Sequence, residues 1–398
     1  MKKTLLTICL VWMCFSLSAQ KIIDLSGKWS FSIDRQDNGE KEKWFSHTLN
    51  DFINLPGSMP EKLKGDEVTA KTQWTGSLYD SSYYYNPYME KYRKEGNIKF
   101  PFFLTPDKHY VGAAWYQKEV NIPADWKGER ILLFLERPHI ETTVWVNGQK
   151  TGMQNSLCVP HQYDITRYVR PGKCTITIRV DNRIKEINVG PDSHSITDQT
   201  QGNWNGIVGR ICLQTTPKTY FDDIQIYPEP EQKLARVKVV IKGTGTAKVK
   251  LSAESFNTDK KHIVPAIQQE IKLNKGVTET EMVLPMGNDM LLWDEFHPAL
   301  YKLKAEVTNG KKTEIKEIQF GMRRFEIKGK WFYVNGRKTQ LRGTVENCDF
   351  PLTGYAPMDV ESWERVFRIC RSYGLNHMRF HSFCPPEAAF MDGDIQDC

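Results

Sequence analysis

Near its C-terminal end the chain sets three side chains suited to holding a polar ligand at alternate positions, His377, Arg379 and His381. On a β-strand this spacing puts all three on one face. A guanidinium flanked by imidazoles can serve hydroxyl or carboxylate oxygens, so Arg379 and His381 read as candidate ligand-binding residues, whereas His377 reads equally as filler of an interior. Upstream, Asn347 and Asp349 sit in the polar run Glu346-Asn347-Cys348-Asp349, in the loop after the preceding strand. Glu346 and Asp349 are carboxylates, the raw material of acid/base catalysis. Carried on one loop rather than on facing strands, they read instead as caps or solvated groups. His377-x-x-x-His381 matches metal spacing only on a helix, so zinc is not expected. Cys384, close to His381, has no third group to orient it as a nucleophile in Cys384-Pro385-Pro386. On these grounds no catalytic residue, metal ligand or cofactor is assigned.

The elements that must position these residues follow from periodicity. Residues 339–345 read as a strand opening into a loop over 346–357. Asp359 then caps a helix whose Val360, Trp363, Val366, Phe367, Cys370 and Tyr373 recur at three- and four-residue spacing until Gly374. Residues 375–383 read as the next strand. A strand-helix-strand of this length implies parallel strands joined by a crossover helix. Just ahead of it, Trp331 to Arg337 forms a hairpin around Asn335-Gly336.

Everything before residue 321 alternates as short β runs. Strands are expected at 27–33, 114–122, 130–135, 142–146, 175–180 and 209–213, an antiparallel sandwich, with a hairpin at Asn147-Gly148, a dipeptide that tolerates the positive φ of a type I′ turn. Residues 72–110 break the rhythm with Trp74, Tyr79, Tyr83, Tyr84, Tyr85, Tyr88, Tyr92, Phe100, Phe102, Phe103 and Tyr110. They read as an inserted loop whose rings either bury it on the sandwich or stack on sugar faces. A change of domain is placed near 217–220, followed by the Pro-containing junction Tyr227-Pro228-Glu229-Pro230. Strands then resume at 236–241, 247–252, 281–284, 301–307 and 313–320, about the size of an immunoglobulin-like sandwich.

The 398 residues carry a formal charge of +6, with basic and acidic groups interspersed, which points to no nucleic-acid or membrane-surface partner. Lys2 and Lys3, an apolar run from Leu5 to Phe15 and the small pair Ser18-Ala19 read as a secretory signal over residues 1–19, too short to span a bilayer. A secreted, periplasmic or extracellular protein is therefore expected. Of nine cysteines, seven lie beyond that segment. Their odd number and spacing do not read as a disulfide framework. Cys158, Cys174 and Cys212 lie in apolar strand-like runs as buried free thiols.

Taken in order, these pieces resemble glycoside hydrolase family 2, the family of β-galactosidases, β-glucuronidases and β-mannosidases. The resemblance rests on Asp24-Leu25-Ser26-Gly27-Lys28-Trp29, Trp145-Val146-Asn147-Gly148, Gly206-Ile207-Val208-Gly209-Arg210, Trp293 with Pro298-Ala299-Leu300-Tyr301, Phe320-Gly321-Met322-Arg323, Val334-Asn335-Gly336, Leu341-Arg342-Gly343 and Asn376-His377-Met378-Arg379. It implies a mostly β chain in which the signal peptide (1–19) is followed by a jelly-roll sugar-binding sandwich (20–218), an immunoglobulin-like sandwich (219–320), and the first β-α-β portion of a truncated (β/α)8 barrel (321–398). It also implies that Arg379 supports the sugar and the nucleophile, and that Asn347 and Asp349 align with a sugar-bordering loop. His381-Ser382 stands where many relatives have Ser-His, and Asn347 where many have histidine.

Hydrolysis with retention needs a proton-donating carboxyl and a nucleophilic carboxylate about 5–5.5 Å apart. In the family both are glutamates on middle and later barrel strands, the first in an Asn-Glu pair, and no Asn-Glu follows Val345. Residues 321–398 number 78, against roughly 250 for a whole barrel. The expectation is a β-linked glycoside as partner, with the chain as given inactive alone. The alternatives are a non-catalytic carbohydrate-binding or interaction protein of two sandwiches, or a non-functional gene fragment. The resemblance further implies a helix continuing after Phe390, from which Asp392 to Cys398 is expected to depart.

Overall fold

A computed structural model describes residues 20–185, 189–190 and 192–396. The signal segment expected at 1–19 and Cys398 lie outside the described residues. The first unit packs two antiparallel sheets face to face. One has the strand order Gln149–Asn155, Glu141–Val146, Gly172–Asp181, Ala113–Ile122, Gly27–Asp34, Asp51–Leu55; the other runs Ile22–Asp24, Gly206–Thr216, Arg130–His139, His161–Asp164. Between them lie Trp29, Phe31, Tyr116, Leu133, Leu135, Ile176, Ile178, Ile211 and Leu213. Glu141–Val146 is buried on both faces because Trp44, Phe45 and Leu49 cover Trp115 and Trp145 on the outer side, with Phe45 stacked on Trp145 at 5.2 Å. This is why Val144, Trp145 and Val146 are apolar in succession rather than alternating with polar residues. Asn147 and Gly148 take φ of 50° and 77°, the turn expected of them.

The aromatic segment 72–110 packs largely on itself. Tyr83 stacks on Phe100, and Trp74 meets Phe100, Phe103 and His109, while Tyr79, Tyr85 and Tyr88 face solvent. Cys174 and Cys212 are buried in strands, but Cys158 is half-buried in a loop, which corrects the strand placement. Its short apolar flank, Leu157-Cys158-Val159, is ended by Pro160, which breaks the ladder.

The second unit is built from Tyr220–Glu229, Leu234–Phe256, Ile263–Pro285, Leu300–Asn309 and Lys312–Gly321 around a core that includes Val237, Val239, Val249, Leu251, Tyr301 and Leu303. Residues 236–241 and 247–252, expected as separate strands, form one strand with a register shift between Gly243 and Gly245. Its first half pairs with Tyr220–Glu229 and its second with Leu300–Asn309. A glycine-rich bulge lets one strand bend between two partners without breaking. Tyr227-Pro228-Glu229, expected as a junction, belongs to a paired strand; only Pro230 starts the turn.

The third unit opens with the meander Phe325–Lys328, Trp331–Val334, Arg337–Thr339. Gly343–Glu346 and His377–Phe380 then pair in parallel, joined by the helix Val360–Ser372, both strands being shorter than read from sequence. Asp359 accepts from Ser362 N–H at 2.8 Å, the expected cap. Trp363 and Phe367 bury against Met378, Phe380 and the next helix, Glu387–Gln396. That helix runs on through Asp392 and Asp394, where a departure from the family pattern was expected. Its end docks on the second unit: Trp293 Nε1 donates to the Asp394 carbonyl at 3.2 Å and Gln319 Nε2 to the Met391 carbonyl at 3.1 Å. No helix of the described residues is long and apolar enough to cross a membrane.

Candidate functional site

The parallel pair runs in register from Gly343 opposite His377 to Glu346 opposite Phe380, so both strands deliver their following loops to one end. Because Met378 and Phe380 face the helix, alternation turns Arg379 and His381 to the other side. His377 shares that face but lies at the opposite end, lining a cavity of about 290 Å³ with Trp293, Phe296 and Arg337. It stands apart from the ligand candidates.

At the loop end, Nδ1 of His381 donates to Oδ1 of Asn347 at 3.2 Å. Arg379 is exposed and forms no ion pair among the described residues, leaving its donors available. Desolvation first, and then the neighbouring His194 and the Arg379 charge, hold His381 below the usual histidine range, which favours the neutral ring. With Nδ1 donating, Nε2 is left as an acceptor suited to a hydroxyl.

Asp349 is exposed and meets neither His381 nor Arg379 in a hydrogen bond or ion pair. Its charge falls on Glu346, whose carboxyl is raised above the usual carboxylate range first by burial and then by Asp349. Glu346 accepts from the Cys348 N–H at 2.7 Å, which ties it to its own loop. Of the four expected site residues, Asn347, Arg379 and His381 converge, and Asp349 stands at the rim. Among the described residues no cluster of three or more metal-type side chains forms.

A fourth participant, absent from the sequence reading, comes from the first sandwich. His194 donates from Nδ1 to the Asn347 carbonyl at 2.8 Å and meets the His381 ring edge-on, centroids 4.4 Å apart. On either side of it, Ser193 and Ser195 donate from Oγ to the Ser382 carbonyl at 3.3 and 2.9 Å. Further along the same loop, Asp198 and the residues from Gln201 to Trp204 line a cavity of about 320 Å³ together with Phe350 to Gly354, a volume within the range of small-ligand pockets. A signal for this loop was present: Ser193-His194-Ser195 opens a polar stretch too rich in hydrogen-bonding side chains for a simple connection between two apolar strands.

Comparison with known proteins bears on both sandwiches. Residues 22–217 match the model of the glycosyl hydrolases family 2 sugar binding domain, and residues 219–323 match that of glycosyl hydrolases family 2. The chain is 24% identical to a β-galactosidase of Thermoanaerobacter pseudethanolicus, over 74% of this chain and 40% of that protein. It is 24% identical to a β-glucuronidase of Paenibacillus borealis (84% and 51%) and 23% identical to human β-glucuronidase (89% and 53%). It thus spans about half the length of such relatives. In fold it is similar to a β-glucuronidase of Ruminococcus gnavus solved with D-glucuronic acid, with a TM-score of 0.68 at 19% identity over 96% of this chain and 59% of the other.

Proposed function

Because the chain belongs to glycosyl hydrolases family 2, we propose that it is the N-terminal part of an exported exo-β-glycosidase, holding one side of a terminal galactose-type or uronic sugar. In this reading the third unit begins a catalytic barrel, and the site at its strand ends is the sugar's seat. Arg379 donates to ring hydroxyls or a carboxylate, His381 accepts at Nε2, Asn347 fixes the His381 ring, and Asp349 borders the rim. The observation that carries this reading is the clasp: a loop of the sugar-binding sandwich brings His194 onto Asn347 and His381 at the C-terminal ends of the parallel strands, where barrel enzymes keep their sites. The two glutamates that the chemistry requires belong to strands beyond the two present here. A polypeptide of residues 20–398 alone is therefore expected to bind without turnover.

Titration calorimetry with galactosides and glucuronides, beside release of nitrophenol from a panel of β-glycosides, tests this. Saturable binding with no release above a buffer blank is the expected result. Release would overturn the assignment of the glutamates to later strands, and absence of binding would overturn the sugar seat.

A further inference from the structure

Three of the free cysteines gather where the first sandwich meets the strand-end loops, although they are far apart in sequence. Cys158 Sγ lies 3.8 Å from Ser195 Oγ. Cys348 Sγ lies 3.4 Å from Gln201 Oε1, and the same Gln201 amide donates through Nε2 to the Ser195 carbonyl. The two sulfurs are thus tethered to two residues of one loop that are hydrogen-bonded to each other. After burial, Cys158 is the largest influence on the Cys348 thiol, ahead of Glu346 in the same loop. Arg137 donates to the Cys158 carbonyl at 3.3 Å, which holds the backbone that carries this cysteine. Cys384, the third thiol, is exposed and rests against the carbonyl of its own neighbour, Pro385.

We propose that Cys158 and Cys348 are a disulfide-forming pair that fastens the first sandwich to the Asn347 loop by exchange with a small-molecule disulfide. The order of events follows from exposure. Cys158 is half-buried and Cys348 is 2% exposed, so the reagent meets Cys158 first. The Cys158 thiolate attacks the external disulfide and releases one small thiol. The Cys348 thiolate then attacks the Cys158 sulfur and releases the second. Two protons and two electrons pass to the reagent, and no reagent need reach Cys348. Burial pushes the Cys348 thiol far above its ordinary value, so the second step is slow at neutral pH and quickens as pH rises. The bond pins the backbone of Asn347 beside His194. This inference does not depend on the sugar-binding reading.

The test is peptide mapping by mass spectrometry, without reduction, after the reduced protein of residues 20–398 is incubated with oxidised glutathione at pH 7 and pH 9. The expected product is a Cys158–Cys348 cross-linked peptide, forming many-fold faster at pH 9. The variant Cys348→Ser should accumulate a glutathione adduct on Cys158, and Cys158→Ser should leave Cys348 unmodified. A glutathione adduct that persists on Cys158 in the unaltered chain at pH 9 overturns the proposal. So does a bond from Cys158 to Cys384, or no reaction at either residue.

Discussion

Arg379 offers the cleanest separation of ligand contact from folding. Its side chain is exposed and unpaired by any carboxylate among the described residues, so Arg379→Ala should leave the thermal midpoint within the small range typical of surface changes, about 0.5 kcal/mol. Loss of a charge-assisted hydrogen bond should weaken sugar binding roughly 10- to 100-fold by calorimetry. Unchanged affinity would remove Arg379 from the site. A second residue-scale expectation concerns His139 and His161, buried inside the first sandwich. Burial lowers their values to about 3 and about 4. The unfolded chain takes up these protons near the ordinary histidine value, whereas the folded chain does not. Stability attributable to them is therefore intact above that value and falls as pH drops toward 4, by up to about tenfold in the folding constant per pH unit for each residue. Urea midpoints measured from pH 7.5 to 4 should decline accordingly. The replacement His161→Gln, which keeps Thr142 Oγ1 a partner, should flatten part of that slope.

At the scale of elements, the helix Val360–Ser372 decides whether the parallel pair holds its shape. Trp363, 1% exposed, fills the space between that pair and Glu387–Gln396 and donates to the Pro357 carbonyl at 2.9 Å. Trp363→Ala should cost about 3–5 kcal/mol in this unit. The sandwiches have cores of their own, so limited proteolysis should then cut first within 343–396 and leave the strands before 321 intact. Simultaneous loss of all three units would show a single cooperative core instead. The helix was legible from sequence because a cap, an apolar stripe and a terminal glycine agreed. So were Ala113–Ile122 and Lys312–Gly321, where β-branched and aromatic residues such as Trp115, Tyr116, Val120, Ile315, Ile318 and Phe320 recur between turn residues. The continuity of Leu234–Phe256 was not, because Gly243-Thr244-Gly245 reads as a turn until the strand is seen to serve two partners. His194 escaped for a related reason: its meaning lies in contacts with residues more than 150 positions away, which no local pattern encodes.

The whole molecule couples a well-buried β framework to a small parallel unit through the polar clasp around His194, through ion pairs such as Arg210–Glu387, and through the docked end of the last helix. Long strands such as Leu300–Asn309 are paired on both sides, whereas among the described residues Gly343–Glu346 and His377–Phe380 pair only with each other. Backbone protection should follow that difference. Amides of the central sandwich strands should exchange slowest, and those of the two-stranded parallel pair fastest among the strands. A sugar bound at the strand ends would touch both sides of the clasp at once. Its binding energy would then reach only openings that separate those sides. Adding a saturating galactoside or glucuronide should therefore slow exchange in 192–205, 346–349 and 377–384 together, while leaving Leu300–Asn309 unchanged. Protection confined to the aromatic segment 72–110 would move the binding site to the exposed faces of Tyr79, Tyr85 and Tyr88. Uniform protection of all three units would mean that the clasp opens only when the molecule unfolds as a whole.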